Sequence, residues 1–190
     1  ELLEVLKESG VYQDHFHIPM QSGSPAILKS MRRKYDVEFY KDTIKLIREY
    51  FPHTSIGADI IVGYPGETEE QFMETYKLLE ELGTTHFHVF PYSKRQNTTA
   101  AKMENHIQGG VKKERVKTLI NLGDAQLSKF SKSLEGSTAS VLFERSKDGS
   151  FEGYTPHYIK VRVKSEKDLS NKIHNVKLVH FNGQFLEGEL

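Results

Sequence analysis

Ile56-Gly57-Ala58-Asp59-Ile60-Ile61-Val62-Gly63-Tyr64-Pro65-Gly66-Glu67-Thr68 (56–68) is the stretch on which the fold turns. Ile56 to Val62 is a short apolar run interrupted by Asp59, one of three such runs that alternate with helical patterns. Gly63, Pro65 and Gly66 make a tight strand-to-helix turn whose backbone can approach a ligand closely. Thr68 and Gln71 then have capping-box spacing, and Phe72, Tyr76, Leu79 and Leu82 form one helical stripe, which Gly83 is placed to end. Upstream lies the run His15-Phe16-His17-Ile18-Pro19-Met20; downstream lies His86-Phe87-His88-Val89-Phe90. Between the first two runs, Val37, Tyr40, Ile44, Ile47 and Phe51 recur at helical spacing, with Asp36 as N-cap.

Strand–helix–strand repeated in this way implies parallel strands with right-handed crossovers. Ligands in such sheets sit at the carboxyl ends of strands. Those ends are Gln21-Ser22-Gly23-Ser24, Gly63 to Glu67, and Pro91-Tyr92-Ser93-Lys94-Arg95, all polar and turn-rich. Three strands cannot close a (β/α) barrel, which takes about 250 residues. The expectation is therefore a fragment that starts in mid-domain, since the first ten residues also read as part of a helix. The expected fold class is α/β, the C-terminal part of a partial barrel, followed by a small all-β module. The divisions fall at 1–108, a basic helical connector at 109–134, and the module at 135–190. In the module, Ile159, Val161 and Val163 alternate with Lys160, Arg162 and Lys164, as in a half-buried strand. Asp148-Gly149 and Asn182-Gly183 are hairpin turn signals. Five short strands suggest a barrel of the oligonucleotide-binding kind.

Composition bounds the chemistry. The absence of cysteine excludes disulfides and thiolate metal sites within these 190 residues. No signal peptide or membrane span is visible, so a soluble, cytoplasmic protein without membrane association is expected. The 26 basic and 26 acidic residues balance, but residues 94–132 hold nine Lys/Arg against Glu104, Glu114 and Asp124, a local excess of six. That excess either meets phosphate or forms a solvated helix face. His15 and His17 would share a strand face, as would His86 and His88. No carboxylate completes a definite ligand set for them, and they are read as core or supporting residues, with no metal ligand assigned.

The segments His17-Ile18-Pro19-Met20-Gln21-Ser22-Gly23-Ser24, Met31-Arg32-Arg33 and Asp59 to Thr68 resemble the radical S-adenosylmethionine methylthiotransferases. Phe90-Pro91-Tyr92-Ser93-Lys94-Arg95 and Lys112-Lys113-Glu114-Arg115 continue the match in order. Glu152-Gly153-Tyr154-Thr155 and Tyr158-Ile159-Lys160-Val161 look like that family's C-terminal TRAM domain. The wording of Arg32-Arg33-Lys34-Tyr35 and of 90–95 is similar to the branch that methylthiolates threonylcarbamoyladenosine in tRNA. Relatives act on isopentenyladenosine in tRNA or on a ribosomal-protein aspartate.

The resemblance implies S-adenosylmethionine and two [4Fe–4S] clusters in a longer parent. The cluster cysteines are absent here, so the fragment alone should be inactive, and no catalytic residue is assigned. It implies Gln21 as a ribose contact and Arg33, with Arg32 as understudy, as the grip on the methionine carboxylate, a task that suits a planar guanidinium. It places Asp59 on the ribose hydroxyls, and Tyr92 and Ser93 near adenine or substrate. Asn97-Thr98-Thr99 replaces the family's Gly-Thr-Pro, which leaves the path of that loop open. Lys112, Lys113 and Arg115 on the connector, and Tyr158, Lys160 and Arg162 on the module, are expected to face tRNA. The module is neutral as a whole, so patches rather than bulk charge must carry binding. A monomer is expected, and the sulfur donor stays unidentified. Two other readings stand beside this one: a stand-alone RNA-binding module, and a radical enzyme acting on a protein side chain.

Overall fold

A computed structural model describes residues 1–147 and 149–190, leaving out the side chains of 145–147. The chain divides into two compact units, one of residues 16–126 and one of residues 1–15 with 127–190.

In the first unit, β1 (His15–His17), β2 (Ser55–Val62) and β3 (His86–Pro91) form a three-stranded sheet in that order. β2 and β3 are parallel, with Asp59 opposite His88 and Ile61 opposite Phe90. Gln21, just past β1, continues the ladder by a parallel bridge to Ile60. The β2 core is Ile56, Ala58, Ile60 and Val62, each no more than 1% exposed. The helices follow their sequence signals closely. The six-residue α2 (Pro25–Ser30) starts with a proline at its first position, while α1 (Leu2–Ser9) belongs to the other unit. α3 (Val37–Tyr50) is capped by the Asp36 carboxylate, which accepts from Phe39 N–H, and it buries Tyr40, Ile44 and Ile47. α4 (Glu69–Leu82) has both halves of the Thr68/Gln71 capping box and ends at Gly83, φ 58°.

One stripe differs from expectation. α4 buries Thr75 and Leu78 along with Phe72, Leu79 and Leu82, whereas Tyr76 is only half-buried. Thr75 is there because its hydroxyl accepts from Gly23 N–H at 2.9 Å and lies 3.3 Å from the Ser22 hydroxyl. A Cβ on Gly23 would stand 2.7 Å from Thr75 Cα, so this contact requires glycine. Thr75 thus moors the loop after β1 to α4.

The other unit contains a closed barrel of β4 (Thr138–Lys147), β5 (Ser150–Tyr154), β6 (Lys160–Lys164), β7 (Ile173–Phe181) and β8 (Leu186–Glu189). Its order is β4-β5-β6-β8-β7, with β6 and β8 parallel and the other pairs antiparallel. The expected alternation appears in β6 and the residue before it: Ile159, Val161 and Val163 are at most 2% exposed and enter a core with Val141, Phe143, Val176 and Leu178. Leu127, Phe130 and Leu134 lie against that core; Leu127 and Phe130 belong to α5 (Gly109–Ser133). The Asn182-Gly183 turn joins β7 to β8, with the Asn182 side-chain oxygen Oδ1 accepting from the N–H groups of Gln184 and Phe185. Of the Asp148-Gly149 signal, Asp148 lies outside the described residues, while Gly149 has φ 73°.

Candidate functional site

The carboxyl ends of β2 and β3, together with Gln21 in the segment after β1, border a cavity of about 540 Å³. Gln21, Asp59, Ile61, Phe90, Pro91, Tyr92, Ser93, Arg95, Thr98 and Ala100 line it. Gln21 has φ 68°, a left-handed backbone that a non-glycine residue seldom adopts. Two ladder bonds hold it there: its N–H donates to Asp59 O at 2.8 Å, and its carbonyl accepts from Ile61 N–H at 2.9 Å. Strain of this kind persists only where the surroundings over-determine it, and it clusters at ligand sites.

Arg33 donates to the Gln21 side-chain oxygen at 2.8 Å. It is not itself in the cavity wall, which it reaches through Gln21. The phenol of Tyr35 donates to Met20 O at 3.1 Å and that of Tyr40 to Ile18 O at 2.9 Å, fixing the segment before Gln21. Burial pushes the Tyr40 phenol well above its ordinary value, so it remains a donor. The sequence-derived residues Gln21, Asp59 and Ser93 therefore meet at one cavity, with Arg33 bonded to one of them.

Asp59 has company that spacing did not reveal. Its Oδ1 lies 3.0 Å from His17 Nε2 and 3.2 Å from His88 Nδ1. The carboxylate missing from the histidine pattern is supplied by the neighbouring strand. Gly63 (φ 71°) and Gly66 (φ 83°) shape the turn beyond. In the loop after β3, Asn97 takes φ 65°, so asparagine supplies the left-handed conformation that a glycine would adopt freely.

The basic connector separates into different environments. Lys113 is exposed. Lys112 donates from Nζ to Tyr92 O at 3.1 Å, and its aliphatic chain covers Gly63. Both border a second cavity of about 520 Å³ with Tyr92, Ser93 and Lys94. Arg115 corrects the expectation of a phosphate contact: it is 5% exposed and paired with Glu67 at 2.7 Å and Glu69 at 3.0 Å. Its guanidinium also sits 5.2 Å from the Phe72 ring centroid. Glu67 in turn accepts from Gly63 N–H at 2.6 Å. Burial raises the Glu67 carboxyl above its ordinary range, outweighing the Gly63 N–H and the Arg115 charge. The pair ties the turn after β2 to α5.

On the barrel, Lys160 and Arg162 face Glu152 across the β5–β6 ladder, and the Arg162 guanidinium lies 3.9 Å from the Phe185 ring centroid. The Arg162 hydrogen bond holds the Glu152 carboxyl below its usual range. Tyr158 is 55% exposed, has φ 60°, and stacks on Tyr154 at 4.9 Å between centroids.

Residues 1–79 match the Radical SAM superfamily. The whole chain is 41% identical to threonylcarbamoyladenosine tRNA methylthiotransferase MtaB of Bacillus subtilis (strain 168), covering 43% of it. It is also 41% identical to tRNA-2-methylthio-N(6)-dimethylallyladenosine synthase of Bacillus pumilus (strain SAFR-032), covering 38% of that protein. It thus spans less than half the length of these relatives. The radical SAM enzyme coproporphyrinogen III oxidase of Escherichia coli shares the fold, at TM-score 0.55 and 17% identity over 82% of this chain and 43% of that one. Among the described residues no helix is long and apolar enough to cross a membrane. Parallel strands that end at a cavity, and likeness along the full chain, lead to one conclusion: the chain is similar to the radical SAM superfamily over residues 1–79 and to the tRNA methylthiotransferases along its whole length.

Proposed function

We propose that this chain supplies one wall of an S-adenosylmethionine site and a tRNA-facing barrel to a radical methylthiotransferase that modifies an adenosine in tRNA. The observation that carries the reading is the meeting of Gln21, Asp59 and Ser93 at one strand-end cavity, with Arg33 bonded to Gln21. When bound and reductively cleaved, S-adenosylmethionine supplies the hydrogen-abstracting species. In this reading Asp59 and Gln21 accept from and orient ribose hydroxyls, while Arg33 turns from Gln21 to a carboxylate. Ile61 and Phe90 give the cavity an apolar floor for a base. The chain has no thiolate, so it does not fit a [4Fe–4S] cluster, and both clusters of the proposed enzyme are held by residues elsewhere.

The finer substrate in this proposal is threonylcarbamoyladenosine. Arg95 and Ser93 in the wall offer a cation and a hydroxyl to a substituent that carries a carboxylate and a hydroxyl, and a dimethylallyl group has nothing to engage either. The proposed organisation is a radical domain to residue 108, a connector at 109–134, and an oligonucleotide-binding-type TRAM barrel at 135–190. Lys112, Lys113, Tyr158, Lys160 and Arg162 are its proposed RNA contacts. The protein is proposed to work as a cytoplasmic monomer.

Calorimetric titration of this chain with S-adenosylmethionine tests the site. Asp59→Asn and Arg33→Ala should each weaken binding at least tenfold, and unchanged affinity in both sinks the assignment. Parallel titrations with the threonylcarbamoyl and dimethylallyl nucleosides test the substrate. Equal affinity, or a preference for the dimethylallyl form, removes the threonylcarbamoyl reading.

A further inference from the structure

The geometry points to a site for a first-row divalent cation at His17, Asp59 and His88, one ligand from each strand of the sheet. The three ligand atoms lie within 4.8 Å of one another. Two imidazole nitrogens converge on a single carboxylate oxygen at 3.0 and 3.2 Å. Imidazole and carboxylate bonds to such a cation are about 2.0–2.2 Å, so adjacent ligand atoms stand about 3.0 Å apart at right angles and about 3.4 Å apart in a tetrahedron. Both observed separations fall in that interval, so an ion can be accommodated with little movement of the backbone.

Strand register produces the arrangement. Asp59 is the direct partner of His88 across β2 and β3, and Ile18 N–H, next to His17, bonds Gly57 O, two residues before Asp59. The His17 and His88 rings stand 5.0 Å apart, tilted by 34°. The partly exposed Asp59 and His88 side chains leave room on the solvent side for water or a further ligand. Two histidines and one carboxylate with open positions suit iron(II), cobalt(II), nickel(II) or zinc(II) rather than magnesium or calcium, which prefer all-oxygen shells. Hydrogen bonding alone is the competing account, and exposed pairs of this kind contribute little by themselves. Both histidine contacts use Oδ1, so the other carboxylate oxygen stays available to a ribose, and the proposal does not rest on the S-adenosylmethionine reading.

The test is cobalt(II) titration of the chelator-treated full chain, followed by visible d–d absorption and calorimetry. One equivalent should bind with nitrogen-ligand bands. His17→Ala, His88→Ala and Asp59→Asn should each lower affinity at least tenfold, while His180→Ala, in the barrel, leaves it unchanged. Thermal melts separate loss of fold from loss of ligand, and His17→Gln and His88→Gln, which keep side-chain bulk, repeat the comparison. Absence of d–d bands up to about millimolar cobalt, or bands that survive all three site substitutions, overturns the proposal.

Discussion

Replacing Arg115 with methionine distinguishes a structural role from an RNA-binding one. Met fills much of the aliphatic volume but removes the charge that faces Glu67, whose side chain is 1% exposed. Removing one partner of a buried ion pair leaves the other unpaired, at a cost of about 3–5 kcal/mol. For a chain of this size that corresponds to a fall in melting temperature of about 6–20 °C. Glu67 can escape by binding a proton, so the penalty has a definite pH dependence. Its folded-state pKa already lies above the unfolded value. The stability it contributes is therefore complete below about pH 4.3 and is lost as pH rises through the folded value. Arg115→Met raises that value further, so its penalty should grow from acid to neutral pH, by up to about 1.4 kcal/mol per pH unit. The double variant Glu67→Gln/Arg115→Met keeps an acceptor for Gly63 N–H and should recover most of the loss. Urea unfolding at several pH values, with tRNA gel shift alongside, provides both readouts. The reasoning fails if Arg115→Met melts within about 2 °C of the parent while losing tRNA affinity as Lys113→Glu does.

Gly63→Ala should cost about 1–2 kcal/mol for the left-handed backbone alone. More is expected because the new Cβ meets the Lys112 chain, with Cδ at 2.7 Å; denaturant melts measure the total. Arg162→Ala should lower barrel stability by about 1 kcal/mol through lost contact with Phe185 and Glu152, and added salt should narrow the difference. Tyr158→Gly relieves a left-handed tyrosine while removing a stacked ring, so stability should stay within about 1 kcal/mol. Under the proposed function its tRNA affinity should fall several-fold in gel shift, and unchanged affinity removes Tyr158 from the interface.

Elements whose cause is local were legible in the sequence. The Asp36 cap, the Thr68/Gln71 box, the Ile159–Val161–Val163 alternation and the Gly83 stop each depend on residues within a turn or a strand. Gln21, Asp59 and Ser93, which line one cavity, stand out in the sequence only through family motifs and not through spacing. What escaped depends on partners distant in the chain. Arg115 reads as one more charge on a basic helix until Glu67, 48 residues earlier, is placed against it. In the sequence Asp59 only interrupts an apolar run, and the histidines stand only as pairs. Joining them requires the register of three strands. Thr75 carries no local signal, because its buried hydroxyl serves a glycine N–H 52 residues away.

The parallel pairing of β6 with β8 closes the barrel, and β8 runs only from Leu186 to Glu189. An unpaired strand edge is a template for a neighbouring molecule, and full closure removes it. With Leu186 to Glu189 detached, the barrel would offer the edges of β6 and β7 at once, with Val161, Val163, Val176 and Leu178 behind them. Those few residues are thus a guard against self-association, and fraying there would appear first as concentration-dependent turbidity rather than as lost helix.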